Sequence, residues 1–151
     1  MIFLNENGKK RRLKVRDIFV LDACALLSVA RNEEGASLVV DVYNRASKGE
    51  VELLINRINL LEVYYDFYRW KGEKYADDFV KIVKQSEVRI CEFDETLFQQ
   101  AGRLKASHKI SLADAIALAQ TITVDGVLLT CDHHEFDHIE NKESIRFAWI
   151  R

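Results

Sequence analysis

The sequence predicts an α/β domain of three layers, α/β/α, around a mostly parallel sheet of four to five strands. Three observations predict it. Short apolar, β-branched runs alternate with longer amphipathic segments along the chain, the pattern of parallel strands joined by helical crossovers. The strand-like runs are continuously apolar rather than alternating, as in strands buried on both faces. The 151 residues hold no proline, low-complexity tract or repeat; nothing marks a second domain, and the length suits one substantial core.

The first 16 residues read as a basic arm or hairpin, with Asn7-Gly8 as a turn between Ile2-Phe3-Leu4 and Leu13-Lys14-Val15. Residues 17–151 read as the domain proper. Its first strand, Ile18–Leu21, runs into Asp22 and a helix over about Ala25–Arg31. Asn32-Glu33-Glu34-Gly35 breaks that helix, and Ala36–Ser47 forms the next, stopped by Lys48-Gly49. Val51–Ile55 is the second strand. Asn56–Trp70 is helical, with Leu60, Leu61, Tyr64, Tyr65 and Tyr68 at helical spacing. Gly72 ends it, and Lys74–Gln85 is a further amphipathic helix.

Val88–Cys91 is the third strand. Asp94 caps a helix reaching Ser107, and Ser111-Leu112-Ala113-Asp114 is a capping-box pattern opening an alanine-rich helix to about Thr121. Gly126–Thr130 is the fourth strand and Arg146–Ile150 a short fifth.

Composition narrows the function classes. An apolar fraction of 48% and a charged fraction of 30% describe a globular protein. No apolar run approaches the roughly 20 residues that cross a bilayer, and Met1-Ile2-Phe3-Leu4 is too short for a signal peptide. A cytoplasmic protein without a membrane partner is the expectation. Cys24, Cys91 and Cys131 lie in apolar surroundings without metal-ligand spacing, which suits reduced thiols. The net charge of −2 does not advertise nucleic acid, yet six of the 22 Lys/Arg fall between Lys9 and Arg16. That concentration suits phosphate or a solvated edge equally.

The chemistry sits in the acids. Asp22 ends the first strand, where open α/β sheets place their ligands, although aspartate also serves well as a helix N-cap. Glu62 has apolar residues on both sides, and Asp114 interrupts Leu112-Ala113-Asp114-Ala115-Ile116. Asp132 follows the strand ending at Thr130, with Asp137 five residues on. Each has a plainer role: Glu62 on a solvated helix face, Asp114 completing a capping box, Asp132 and Asp137 as loop caps. Asp114 is hardest to dismiss, because its helix is apolar nearly all round and no Lys or Arg lies within a turn of it on that helix. A buried carboxylate without a partner is costly or takes up a proton. One divalent cation compensates several carboxylates, and hard oxygen ligands select Mg²⁺ or Mn²⁺. An acidic pocket of this kind at the carboxyl edge of a parallel sheet suits phosphodiester hydrolysis.

In order, strand-Asp22-x-x-x-Leu26-Leu27, Glu62 on a helix, Leu112-Ala113-Asp114-Ala115-Ile116 and Thr130-Cys131-Asp132-His133-His134-Glu135-Phe136-Asp137 resemble a PIN-domain nuclease. Within that family they are most similar to the VapC-type ribonuclease toxins of toxin–antitoxin pairs. The resemblance runs from about Ile18 to the carboxyl terminus. It implies a PIN-like fold and a Mg²⁺- or Mn²⁺-dependent endoribonuclease. Asp22, Glu62, Asp114 and Asp132 would form the acidic quartet, with Asp22, Asp114, Asp132 and Asp137 as metal ligands. It also implies an RNA substrate, a small antitoxin protein as partner and a homodimer. One position departs from the family, where Ser, Thr or Asn commonly stands two residues after the first Asp: here it is Cys24.

Three rivals remain. A haloacid-dehalogenase-type phosphatase needs a second Asp where Cys24 stands. A zinc site would draw on Cys131, His133, His134 and His138. A PIN-like domain that binds RNA or protein without cleaving would need none of the acids. The aromatic residues Tyr64, Tyr65, Phe67, Tyr68 and Trp70 are expected first in the core and second at a partner groove or dimer seam.

Overall fold

A computed structural model describes residues 2–4, 10–12, 16–140 and 142–151. Strands β1 (Ile2–Leu4) and β2 (Lys10–Arg12) pair antiparallel, Ile2 opposite Arg12; the expected Asn7-Gly8 turn and the side chains of the basic arm up to Val15 lie outside the described residues. From Asp17 onward the order is β3 (Asp17–Leu21), α1 (Ala23–Arg31), α2 (Ala36–Ser47), β4 (Val51–Asn56), α3 (Arg57–Lys71), α4 (Glu73–Lys84), β5 (Val88–Cys91), α5 (Glu95–Ser107), α6 (Leu112–Thr123), β6 (Val127–Thr130), α7 (His133–Phe136) and β7 (Arg146–Trp149).

Five strands form one sheet in the order β5-β4-β3-β6-β7, and every pairing is parallel. Adjacent residues of a strand point to opposite faces, and this sorts the apolar runs into two cores. Val20, Leu54 and Leu128 meet α5 and α6 through Leu97, Leu104, Ile116 and Leu118. Leu21, Leu53, Ile55 and Leu129 meet α1 to α4 through Leu26, Val39, Leu60 and Phe67. The result is the expected three-layer α/β/α arrangement, with an all-parallel sheet. Because the chain steps from β3 to β4 on one side and returns to β6 on the other, the strand order reverses at β3/β6, the place where such sheets open a ligand crevice.

Local signals set the boundaries. Asp22, Asn56, Asp94 and Ser111 each cap the helix that follows through a side-chain oxygen, satisfying amides at the helix start. Helix α1 starts at Ala23, earlier than the periodicity indicates, because its cap is the last residue before it. Helix α6 runs on to Thr123, where the Thr121 and Thr123 hydroxyls donate to the Ala117 and Ala119 carbonyls at 2.8 Å each. Gly35 opens α2 at φ +80°, and a Cβ there would lie 1.9 Å from the Ile150 carbonyl oxygen. Only glycine lets the α1–α2 turn pass under the end of the chain.

One expectation is corrected. Of the α3 aromatics, Phe67 is core and Tyr64 packs partly buried against it, but Tyr65, Tyr68 and Trp70 are not core. Leu60, Val63 and Phe67 are the buried stripe, while Leu61, Tyr65, Tyr68 and Trp70 are exposed. Phe67 has no hydroxyl to satisfy and packs edge-on against Tyr75 and Phe79 of α4, ring centroids 5.3 and 4.6 Å away. The tyrosines keep their hydroxyls on polar partners, Tyr64 on Asp77 and Tyr65 on Glu62. Among the described residues no helix is long and apolar enough to cross a membrane.

Candidate active site

The carboxyl ends of the two central strands supply the base of the site. The Asp22 amide donates to the Leu129 carbonyl at 3.1 Å, extending the β3–β6 ladder by one bond. Its side chain turns back to cap α1, accepting from the Ala23 amide at 2.6 Å and from the Thr130 hydroxyl at 2.8 Å. Asp22 is 4% exposed. Burial foremost, then the charge of Asp114, pushes its carboxyl up to about 7 against the donors that favour the anion. Such a group is poised between protonation states near neutral pH.

Asp114 comes from the opposite layer. The capping box is real: the Asp114 amide donates to Ser111 Oγ and the Ser111 amide to Asp114 Oδ2, both at 3.1 Å. The plain role and the functional one coexist, since the carboxyl is also 8% exposed and raised, chiefly by burial, with Asp132 and Glu135 adding to it. Glu62 sits half-buried on α3, raised by burial first, then by Asp114, Asp66 and Asp132, while the Tyr65 hydroxyl bonds it at 3.2 Å. Asn59, one turn earlier and fully buried, donates to the Ala113 carbonyl at 3.0 Å. That bond ties α3 to the start of α6 and brings Glu62 toward Asp114. Asp132 caps α7, accepting from the Glu135 amide at 3.1 Å.

The charge of Asp114 thus acts on Asp22 and Glu62, and that of Asp132 on Glu62 and Asp114. Asp137, by contrast, has an ion-pair partner of its own. It is exposed and paired with His133 Nδ1 at 2.7 Å, while His133 Nε2 bonds the Arg151 carbonyl at 3.0 Å and the ring stacks on Trp149 at 4.0 Å. Three further residues join the site that sequence reading left out. Thr130 bonds both Asp22 and the Asp132 amide, Asn59 positions α3, and Glu135 adds charge beside Asp114. A polar residue closing an apolar strand was the available signal for Thr130; Asn59 and Glu135 carried none.

Cys24 stands where the resemblance places Ser, Thr or Asn. Its Sγ donates to Asp22 Oδ2 at 3.4 Å and accepts from the Cys131 amide at 3.0 Å. The neighbouring Cys131 thiol and burial push its ionisation far up, so it remains a neutral donor.

Among the described residues none of the four carboxylates has a Lys, Arg or His ion-pair partner. Their donor chemistry, all oxygen and uncompensated, fits a hard divalent cation in kind. They are not gathered as a finished ligand set: among the described residues no three His, Cys, Asp or Glu side chains come close enough to hold an ion. The same finding removes support from the Cys131/His133/His134/His138 zinc cluster.

A three-layer α/β/α fold with uncompensated carboxylates near its strand-order reversal defines a class of protein rather than one protein. The PIN domain family model matches residues 19–142, and the chain belongs to the PIN-domain family. No curated protein matches it. Solved structures share its fold at low identity. The crystal structure of DNA-bound VapBC from Salmonella typhimurium aligns over 89% of this chain and 99% of that one, with TM-score 0.70 and 16% identity. VapBC2 from Rickettsia felis, bound to a DNA fragment from its promoter, aligns over 87% and 97%, with TM-score 0.69 and 18% identity. Mycobacterium tuberculosis VapC20, described as a sarcin–ricin loop cleaving toxin, aligns over 74% and 87%, with TM-score 0.57 and 17% identity.

Proposed function

We propose that the chain is a Mg²⁺- or Mn²⁺-dependent endoribonuclease that hydrolyses RNA phosphodiester bonds as the toxin of a type II toxin–antitoxin pair. The observation that carries the reading is the set Asp22, Glu62, Asp114 and Asp132, three of them raised by burial and by their acidic neighbours and none with an ion-pair partner among the described residues. PIN-family membership supports it, as do solved relatives of the same fold that are toxin–antitoxin complexes.

In this reading Asp22, Asp114 and Asp132 hold the cation. A divalent ion supplies charge stabilisation at the phosphate and makes water a better nucleophile. Thr130 and Cys24 hold the Asp22 carboxylate in one orientation, and the Ser111 amide does the same for Asp114. Glu62, half-buried and raised, orients the attacking water and takes its proton. Asp137 holds His133, which bonds the Arg151 carbonyl and stacks on Trp149, and so fixes α7 against the last strand. The antitoxin partner fits the apolar groove of about 230 Å³ between α1, α2 and α4, whose rim exposes Val29, Val40 and Ile82. A homodimer would use the outward face of α3, where Leu61, Tyr65 and Tyr68 are exposed.

The test is incubation of purified protein with total RNA and Mn²⁺, followed by sequencing of the cleaved ends. Cleavage that disappears in Asp114→Asn upholds the reading; cleavage that persists overturns it. The second reading, a PIN-like domain that binds RNA or protein without cutting, draws on the carboxylates not being gathered as a ligand set. It expects no thermal stabilisation by Mn²⁺, whereas a nuclease gains stability that Asp22→Asn abolishes.

A further inference from the structure

We propose that the cleft between the Lys109–Ser111 loop and α7 binds the phosphate next to the scissile one on a single RNA strand; this rests on the nuclease reading of the adjoining acidic site. The cleft, about 490 Å³, is lined by Lys109, Ile110, Ser111, His134, Glu135 and His138. Lys109, His134 and His138 are exposed, and among the described residues none of them has an ion-pair partner. A lysine and two imidazoles around a concave surface supply a fixed positive charge and N–H donors, which is what a phosphate diester takes.

The cleft is built rather than incidental. Lys105 Nζ donates to the Ile110 carbonyl, and Ile110 itself is 4% exposed, so the loop is anchored at its centre. Behind it His108 Nε2 meets Glu143 Oε1 at 2.8 Å, and Arg103 grips the same carboxylate with two bonds of 2.9 and 2.8 Å. His138 packs beside His108, ring centroids 6.1 Å apart. The loop that carries Lys109 is therefore held before a ligand arrives, which lowers the ordering cost of binding.

Its position identifies the ligand. Ser111 belongs to the cleft wall and its amide holds the Asp114 carboxylate; Glu135 belongs to the other wall and its amide is held by Asp132. The two walls of the cleft are thus hydrogen-bonded to two of the site's carboxylates, with Lys109 supplying fixed positive charge to the lining and Glu135 a carboxylate. An RNA strand with one phosphate at the carboxylates and their cation lays a neighbouring phosphate against Lys109. The exposed imidazole faces of His134 and His138 also suit contact with a base or ribose of a single strand.

The experiment uses the full chain carrying Asp114→Asn, so that RNA binds without being cut. A fluorescently labelled, mixed-sequence single-stranded RNA of about 12 nucleotides, within the site sizes of strand-tracking grooves, is titrated by anisotropy over a range of salt. Adding Lys109→Ala is expected to weaken binding roughly tenfold for every sequence and to lower the log–log salt slope by about one. His138→Gln should weaken binding in the same direction. Lys109→Ala in the otherwise native chain should keep its Mn²⁺ stabilisation. An unchanged affinity and salt slope, or loss of the Mn²⁺ effect in Lys109→Ala, would overturn the cleft assignment. Failure of the native chain to cleave RNA would count against the nuclease reading alone, since the binding comparison reads the cleft either way.

Discussion

The Thr130 hydroxyl donates to Asp22 Oδ2 at 2.8 Å and accepts from the Asp132 amide at 3.1 Å, joining the ends of the two central strands through one fully buried oxygen. Thr130→Val keeps the shape and removes both bonds. It is expected to cost about 1–3 kcal/mol of stability, measured by urea unfolding. It should also weaken Mn²⁺-induced stabilisation, because Asp22 loses a donor that favours its charged form. A variant as stable and as metal-responsive as the native chain would refute this role.

Acidity at Asp22 sets a pH dependence. Its carboxyl stands at about 7 in the folded chain against an ordinary 3.8. Between those values the folded state keeps a proton that the unfolded chain releases, so metal-free stability falls as pH rises through that window. The contribution is complete below 3.8 and gone above about 7. Asp22→Asn, which keeps the cap, should therefore be more stable than the native chain at about pH 8 and equal to it at low pH. Thermal melts across pH decide this. The gain from Mn²⁺ should grow over the same range in the native chain only.

Glu62 and Asp114 are expected to separate in kind. Asp114→Asn should remove cleavage and most of the metal response. Glu62→Gln should lower the rate about a hundredfold or more while leaving part of the Mn²⁺ stabilisation, since Glu62 is half-buried on a different helix. Single-turnover cleavage beside metal-dependent melts distinguishes the two.

Cys24 offers a test of the family's usual residue. Cys24→Ser should keep the contacts to Asp22 and to the Cys131 amide and retain activity. Cys24→Ala strips both and should cost about 1 kcal/mol and part of the metal affinity, read by calorimetric titration with Mn²⁺.

Gly35→Ala is a prediction about the scaffold alone. The positive φ and the 1.9 Å approach to Ile150 leave no room for a methyl group. A loss of about 2–4 kcal/mol is expected, visible as a lowered melting temperature.

The sequence by itself determined the layers, the parallel sheet and nearly every helix boundary, because those follow from interactions within a few residues. Apolar runs select buried strands, and Asp22, Asp94 and Ser111 cap what comes next. It also singled out the acids, since a carboxylate within an apolar segment is conspicuous wherever the chain goes. What it did not contain is distance. The β3–β6 register puts Thr130 between Asp22 and Asp132, and the Asn59 bond to Ala113 brings Glu62 toward Asp114. Helix packing decided that Phe67 rather than Tyr65 or Tyr68 goes inward, because a ring without a hydroxyl loses nothing by burial. The coupling that raises Asp22 toward neutrality is likewise tertiary: it comes from burial beneath two layers and from Asp114, 92 residues further along the chain.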